Sequence, residues 1–240
     1  MDLRILGPLE ALDDGRLVRV AAAGSGRCWR LFLLHANETL TTDRPIDERW
    51  GERPPATAAK TVQVCVPGCG RRWRPGRETV RPAWSCHASI GYELELDVDC
   101  LDAHRFERLV AEGRSELGAG RPERAVAALD EALALCRGPA LPDLAYEPFA
   151  QRGVARPEDL RVAALEQLLE ARLALGHHVE LVGQLEALIA EHAYRERLRS
   201  QLMLALYRSE RQAHALAGLR RSRAARSWAA HASWPSAPRA

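Results

Sequence analysis

The sequence predicts a mainly α-helical protein: a small N-terminal α+β domain followed by an all-α domain of helical repeats. Three observations predict this. The first 20 residues alternate apolar and polar positions with period two. Beyond Asp99 the apolar period changes to that of an amphipathic helix. At 240 residues, 47% of them apolar and 28% charged, the chain has the length for two ordinary domains and a globular balance. The change of period divides it into residues 1–98 and 99–225, and the composition of residues 226–240 predicts a disordered tail.

The elements follow in order. Leu3 to Leu6, Leu9 to Leu12 and Arg16 to Val20 read as short strands, the last two joined by an Asp13-Asp14-Gly15 turn. Leu31 to Ala36 form an apolar helical patch. Thr42 is placed to cap a short helix with Pro45 in its first turn, Ile46 and Trp50 on one face and Gly51 as its stop. A third helix is expected from Thr57 to Val66, after Pro54-Pro55. Gly91 to Val98 alternates as a strand. Strands, three helices and a closing hairpin make the winged-helix order.

In the second domain Phe106, Leu109, Val110 and Leu117 share one helical face, with Asp102 as its cap. Gly120-Arg121-Pro122 breaks this helix and starts the next, which carries Ala125, Val126, Leu129 and Leu133. Gly138-Pro139 to Pro148-Phe149 reads as a loop, and helices are expected over 160–175, 180–191 and 195–209. Setting Gly176 on Glu210 aligns the ends of two of these helices 34 residues apart, the tetratricopeptide period. Glu210 then stands where a turn glycine is favoured.

Charge is local rather than global. The net charge is only +2, yet Lys60, Arg71, Arg72, Arg74, Arg77 and Arg81 lie close together with the single acid Glu78 among them. Such a cluster is a candidate phosphate footprint or a solvated basic loop. No apolar run approaches the roughly 20 residues of a membrane span, and the N-terminus lacks a signal-peptide layout, so a cytoplasmic protein without membrane partners is expected. Cys65, Cys69 and Cys86-His87 lack the paired spacing of a zinc site. His177-His178 sits at a helix turn with no nucleophile to serve. No catalytic residue, metal site or cofactor is assigned, and the chain is read as not an enzyme.

Several phrases carry a family resemblance. Leu6-Gly7-Pro8-Leu9-Glu10, Leu33-Leu34-His35-Ala36-Asn37 and Trp50 to Ala59 resemble the OmpR-type winged helix of the Streptomyces antibiotic regulatory proteins. Asp102 to Glu107, Arg137 to Leu141 and Leu202 to Ser209 are similar to that family's bacterial transcriptional activator domain. The resemblance implies an activator that binds double-stranded promoter DNA, usually at direct repeats, and recruits RNA polymerase to antibiotic-biosynthesis genes. A homo-oligomer is compatible with it. Longer members add an ATPase module; no phosphate-loop motif is present, as in the short form. In the family the third helix enters the major groove. The matching positions are Lys60, Thr61 and Gln63, with Arg71 and Arg72 just beyond: the basic groups suit phosphate, and Gln63 suits a base edge or plain solvent.

Three segments depart from the family. Its recognition helix reads roughly Val-Tyr-Val-Ser-Arg-Leu-Arg-Arg where this chain has Val64-Cys65-Val66-Pro67-Gly68-Cys69-Gly70-Arg71. Proline costs about 3 kcal/mol inside a helix and each glycine up to about 1, so the helix is expected to end near Val66. Codons TCC CGG CTG CGG C for Ser-Arg-Leu-Arg, read one base later, give Pro-Gly-Cys-Gly. Arg27 to Arg30 and the tail from Arg226 depart in the same manner. Five of the six tryptophans (Trp29, Trp73, Trp84, Trp228 and Trp234) and four of the six cysteines (Cys28, Cys65, Cys69 and Cys86) fall in these segments or in the stretch up to His87 that follows the second of them in the chain, and both residues have TG-starting codons that a shifted frame generates. Compensating frameshifts in the gene, errors in the underlying DNA read and ordinary divergence are the sources open. The expected function is an activator of secondary-metabolite genes whose recognition helix is impaired by frameshift-like segments; the alternative is a helical-repeat interaction module that has lost DNA binding.

Overall fold

A computed structural model describes residues 2–18, 25–41, 43–51, 53–62, 83–87, 91–142 and 150–211. The N-terminal strands form as an antiparallel meander, β1 (Asp2–Arg4), β2 (Glu10–Asp13) and β3 (Arg16–Val18), with Leu3 opposite Ala11 and Leu12 opposite Leu17. The β2–β3 turn places Asp14 and Gly15 at φ 48° and 77°. Two left-handed residues match the right-handed strand twist, which is why Asp-Gly marks this hairpin. Helices α1 (Ser25–Leu34) and α2 (Arg44–Trp50) follow. Gly51 stops α2 at φ 61°, its N–H donating to the Asp47 carbonyl at 2.8 Å. Thr42 lies outside the described residues; the residue in the N-cap position is Asp43, which makes no side-chain cap bond. Residues 58–62 open a third helix, α3. Then β4 (Ala83–His87) pairs antiparallel with β5 (Gly91–Glu95), Ser85 opposite Glu93.

After a 3-10 turn over Val98–Cys100 come α4 (Asp102–Gly118), α5 (Pro122–Ala134), α6 (Ala150–Ala174), α7 (His178–Glu191) and α8 (Glu196–Arg208). Helix α6 starts ten residues before the predicted Leu160 and runs through Pro157. This corrects the expected span of 160–175: a proline ring removes one helical hydrogen bond, yet Pro157 does not end α6. In the structure, the turn around it is held from outside: Arg156 pairs with Glu107 at 3.2 Å, and Pro157 and Leu160 border a small cavity with Phe106 and Leu33.

The chain divides into two compact units, Met1–Glu112 with Ala128–Ala164, and Gly113–Ala127 with Leu165–Ala240. The core of the first gathers Leu3 and Ala11 from the sheet, Ile5 just after β1, Phe32 and Leu33 from α1, Val62 from α3, Tyr92 and Leu94 from β5, and Leu101 and Leu141. The second packs Leu169 and Leu173 of α6 against Leu181, Val182 and Leu185 of α7 and Leu198, Ala205 and Leu206 of α8. There the buried Gln201 donates from Nε2 to the Glu166 carbonyl at 2.7 Å. Three helix ends in this unit close alike. Gly120, Gly176 and Glu210 take φ of 71°, 92° and 61°. The following residue in each case donates to a carbonyl five positions back: Arg121 to Glu116, His177 to Arg172, Arg211 to Leu206. This is the Schellman closure, and Glu210 holds the glycine position in it.

Candidate nucleic-acid interface

The first turn of α3 is seated on one face. Ala58 and Val62, four residues apart, are 3% and 1% exposed, while Lys60 between them is exposed. Apolar residues one turn apart share a face, so anchoring these two directs the intervening positions elsewhere. Thr57 ends the connection: its carbonyl accepts both the backbone N–H and the hydroxyl of Thr61, each at 2.9 Å. Thr61 is thus half-buried with its hydroxyl spent within the helix. Of the five predicted contact residues, Lys60 and Thr61 stand side by side on this turn; Gln63, Arg71 and Arg72 lie outside the described residues.

The hairpin β4–β5 is held by the segment after α1. Leu40 and Tyr92 exchange two backbone bonds of 2.9 and 2.8 Å, and Tyr92 meets Phe32 of α1 edge to face at 6.3 Å. Gly91 permits this approach: a Cβ there would lie 1.9 Å from the Leu40 carbonyl oxygen. Asn37, at φ 63°, pairs its side-chain amide with both backbone groups of Leu96 at 3.0 and 2.8 Å. In the sequence Asn37 stands out only as the end of the family phrase Leu33 to Asn37. A polar residue after the apolar end of a helix, tolerant of left-handed backbone, was the available signal.

Asp102 corrects a second expectation. It begins α4 as predicted, but its carboxylate, 1% exposed, accepts from Ile5 N–H at 2.8 Å and Leu6 N–H at 3.0 Å. Burial raises its pKa above the ordinary carboxylate range, against the lowering pull of those bonds and of Arg137. Around it Arg105 pairs with Asp2 at 2.6 Å, Asp2 with Arg4 at 2.7 Å, and Arg137 with Glu10 at 2.8 Å.

His177 bonds Glu180 at 2.9 Å in an exposed turn, and burial followed by Arg208 lowers the pKa of His178. Burial pushes the Cys136 thiol up to about 11, the reverse of an activated thiolate. Among the described residues, no helix is long and apolar enough to cross a membrane.

Strand meander, helices, closing hairpin and a seated third helix followed by helical pairs define a winged-helix regulator joined to a helical-repeat domain. Comparison with known proteins gives the family. Residues 101–227 match the bacterial transcriptional activator domain. The chain is 34% identical to the regulatory protein DnrI of Streptomyces peucetius over 90% of its own length and 81% of that protein's. It is 33% identical to the transcriptional regulator RedD of Streptomyces coelicolor, over 93% of this chain and 64% of that one. The solved structure of Mycobacterium tuberculosis EmbR, in complex with a low-affinity phosphopeptide, superposes with a TM-score of 0.83 at 28% identity, covering 99% of this chain and 62% of EmbR. The chain belongs to the Streptomyces antibiotic regulatory protein family of transcriptional regulators.

Proposed function

We propose that this chain is a DNA-binding activator of secondary-metabolite genes that inserts the helix beginning at Thr57 into the major groove of promoter DNA. The observation that carries the reading is the seat of α3, where buried Ala58 and Val62 leave Lys60 exposed between them. Lys60 contacts phosphate, with Thr61 beside it, Gln63 at a base edge, and Arg71 and Arg72 extending the phosphate contacts beyond the helix. Residues 1–98 bind DNA, residues 99–225 contact RNA polymerase, and residues 226–240 form a tail outside both. The family's use of direct repeats favours more than one copy on the DNA.

The test is a mobility shift with a duplex enriched from a random pool by the full chain, repeated over a salt series. Phosphate contacts release counterions, so affinity must fall steeply with salt, and Lys60→Ala should lower the slope by about 1. Failure of any duplex to enrich or shift would favour a helical-repeat interaction module that has lost DNA binding. Resequencing the gene and translating all three frames checks the impairment: frameshifts predict that another frame restores the family pattern at residues 64–71.

A further inference from the structure

We propose that the cavity among the end of α1, the start of α4 and the turn of α6 around Pro157 binds a small primary amine, an ammonium group on a short apolar body. The cavity has a volume of about 100 Å³, and every residue that lines it belongs to the first compact unit. A water takes about 10–15 Å³ of such space, so roughly six to eight non-hydrogen atoms fit. Leu6, Leu33, Ala36, Leu101 and Phe106 make an apolar floor, each at 7% exposure or less. Apolar walls facing open space lack dispersion partners, and a hydrocarbon body that fills the space supplies them. Size and apolarity are thus selected by the floor.

The head group is selected by the polar lining, which consists of Glu38, His104, Glu107 and Arg156. Arg156 lies 3.2 Å from Glu107 and 4.0 Å from Glu38, and these three side chains are 66%, 42% and 49% exposed, so they form the rim. Two carboxylates against one guanidinium leave the lining one negative charge in excess, with histidine counted neutral. That excess attracts a cation and repels an anion. An ammonium has three N–H donors, enough to serve both carboxylates at once. His104 adds an acceptor, since its Nδ1 is buried without a hydrogen-bond partner. A carboxylate ligand would find Arg156 already paired with both glutamates, and an alcohol would bring one donor and no charge.

Three probes with similar branched bodies and different heads test this on the full chain: isopentylamine, isopentanol and isocaproate, titrated at constant ionic strength and followed by backbone amide shifts. The amine should bind saturably and move the amides of Ala36, Ala103 and Phe106. It should bind about two- to fivefold more tightly than the alcohol, the scale of partly exposed charges, and the carboxylate should bind weakest. Arg156→Ala removes the competing cation and should tighten amine binding by a similar factor, a gain that loss of structure does not produce. Ala103→Leu puts a larger side chain into the cavity and should abolish binding, with thermal unfolding showing that the chain is folded. The proposal is overturned if no probe moves these amides, or if the alcohol or the carboxylate binds as tightly as the amine. A folded Ala103→Leu that binds the amine as wild type does overturns it too, as does a folded Arg156→Ala that binds it no more tightly. Should Ala103→Leu fail to fold, the order of the three probes decides.

Discussion

Glu210→Gly should stabilise this protein, although it removes a side chain and adds none. Glu210 occupies the left-handed position that closes α8, at φ 61°, with its N–H donating to Tyr207 at 3.3 Å and Arg211 N–H to Leu206 at 2.9 Å. The matching positions after α4 and α6 are Gly120 and Gly176. An L-residue with a Cβ costs about 1–2 kcal/mol in this region, whereas glycine costs nothing sterically but frees the unfolded chain by about 0.4–1 kcal/mol. The difference favours glycine by about 0.5–1 kcal/mol, an increase in Tm of about 1–4 °C for a chain of this size. Gly176→Glu is the mirror experiment. A Cβ at Gly176 meets nothing within 4 Å, so its cost is conformational alone and should be of the same size and opposite sign. Urea unfolding of the three proteins, with unchanged slope, measures both. The reasoning is refuted if Gly176→Glu destabilises while Glu210→Gly does so as well, because the two positions would then not be equivalent.

Three further outcomes are expected. Gly91→Ala puts a methyl 1.9 Å from the Leu40 carbonyl oxygen, so the Leu40–Tyr92 pair must open; the cost of about 2–4 kcal/mol should show in chemical denaturation, and a neutral result would mean the strands separate freely. Val62→Ala removes a side chain only 1% exposed and should cost about 2 kcal/mol, with weaker duplex binding as the first turn of α3 loses its seat; unchanged stability would show that Val62 does not anchor it. Asp102 has a folded pKa raised above 3.8 by burial. Its protonated form is therefore the one the fold favours, so its contribution to stability is highest below the unfolded pKa and declines as pH rises through the folded one. Wild type minus Asp102→Asn stability should fall with pH across that window and then level; a difference that rises with pH would mean the Ile5 and Leu6 bonds outweigh desolvation.

What was legible in the sequence was what local chemistry writes. The Asp14-Gly15 turn, the Gly51 stop and the proline opening of α5 each follow from backbone preference at one or two residues, and each formed as read. The 34-residue alignment placed Glu210 on Gly176 from pattern alone, and the two share a backbone conformation. Long-range partners were not legible. Asp102 read as a helix cap because an acid before an apolar helical face usually is one, yet its carboxylate bonds backbone 96 and 97 residues away. Asn37 pairs with a residue 59 positions on, and nothing in either sequence neighbourhood specifies that. Helix α6 begins ten residues before its expected start, and the ion pair of Arg156 with Glu107 beside Pro157 is a tertiary contact that no local pattern displays. Among the candidate contacts, Lys60 came from the family resemblance, and its exposure depends on Ala58 and Val62 finding a core that the sequence does not display.

The change of period near residue 98 is a change of secondary structure and not a gap in packing. Leu3 bridges Leu101, Ile5 and Leu6 bond Asp102, and Arg137 and Leu141 donate backbone N–H groups to Leu6, Ile5 and Gly7. The segment from Leu3 to Pro8 thus continues β1 as irregular chain whose polar groups are satisfied by the start of α4 on one side and residues 137–141 on the other. Unpaired backbone N–H groups at a site as buried as Asp102 cost about 1–3 kcal/mol each, so this segment cannot leave its partners without opening the core that also holds Val62 and Leu94. The family phrases Leu6-Gly7-Pro8, Asp102-Ala103-His104 and Arg137-Gly138-Pro139 were separate motifs in sequence; in the fold they meet at one junction. In this chain they share a physical ground: Val62, which seats α3, lies in one core with Leu101, just before α4, and with Leu141.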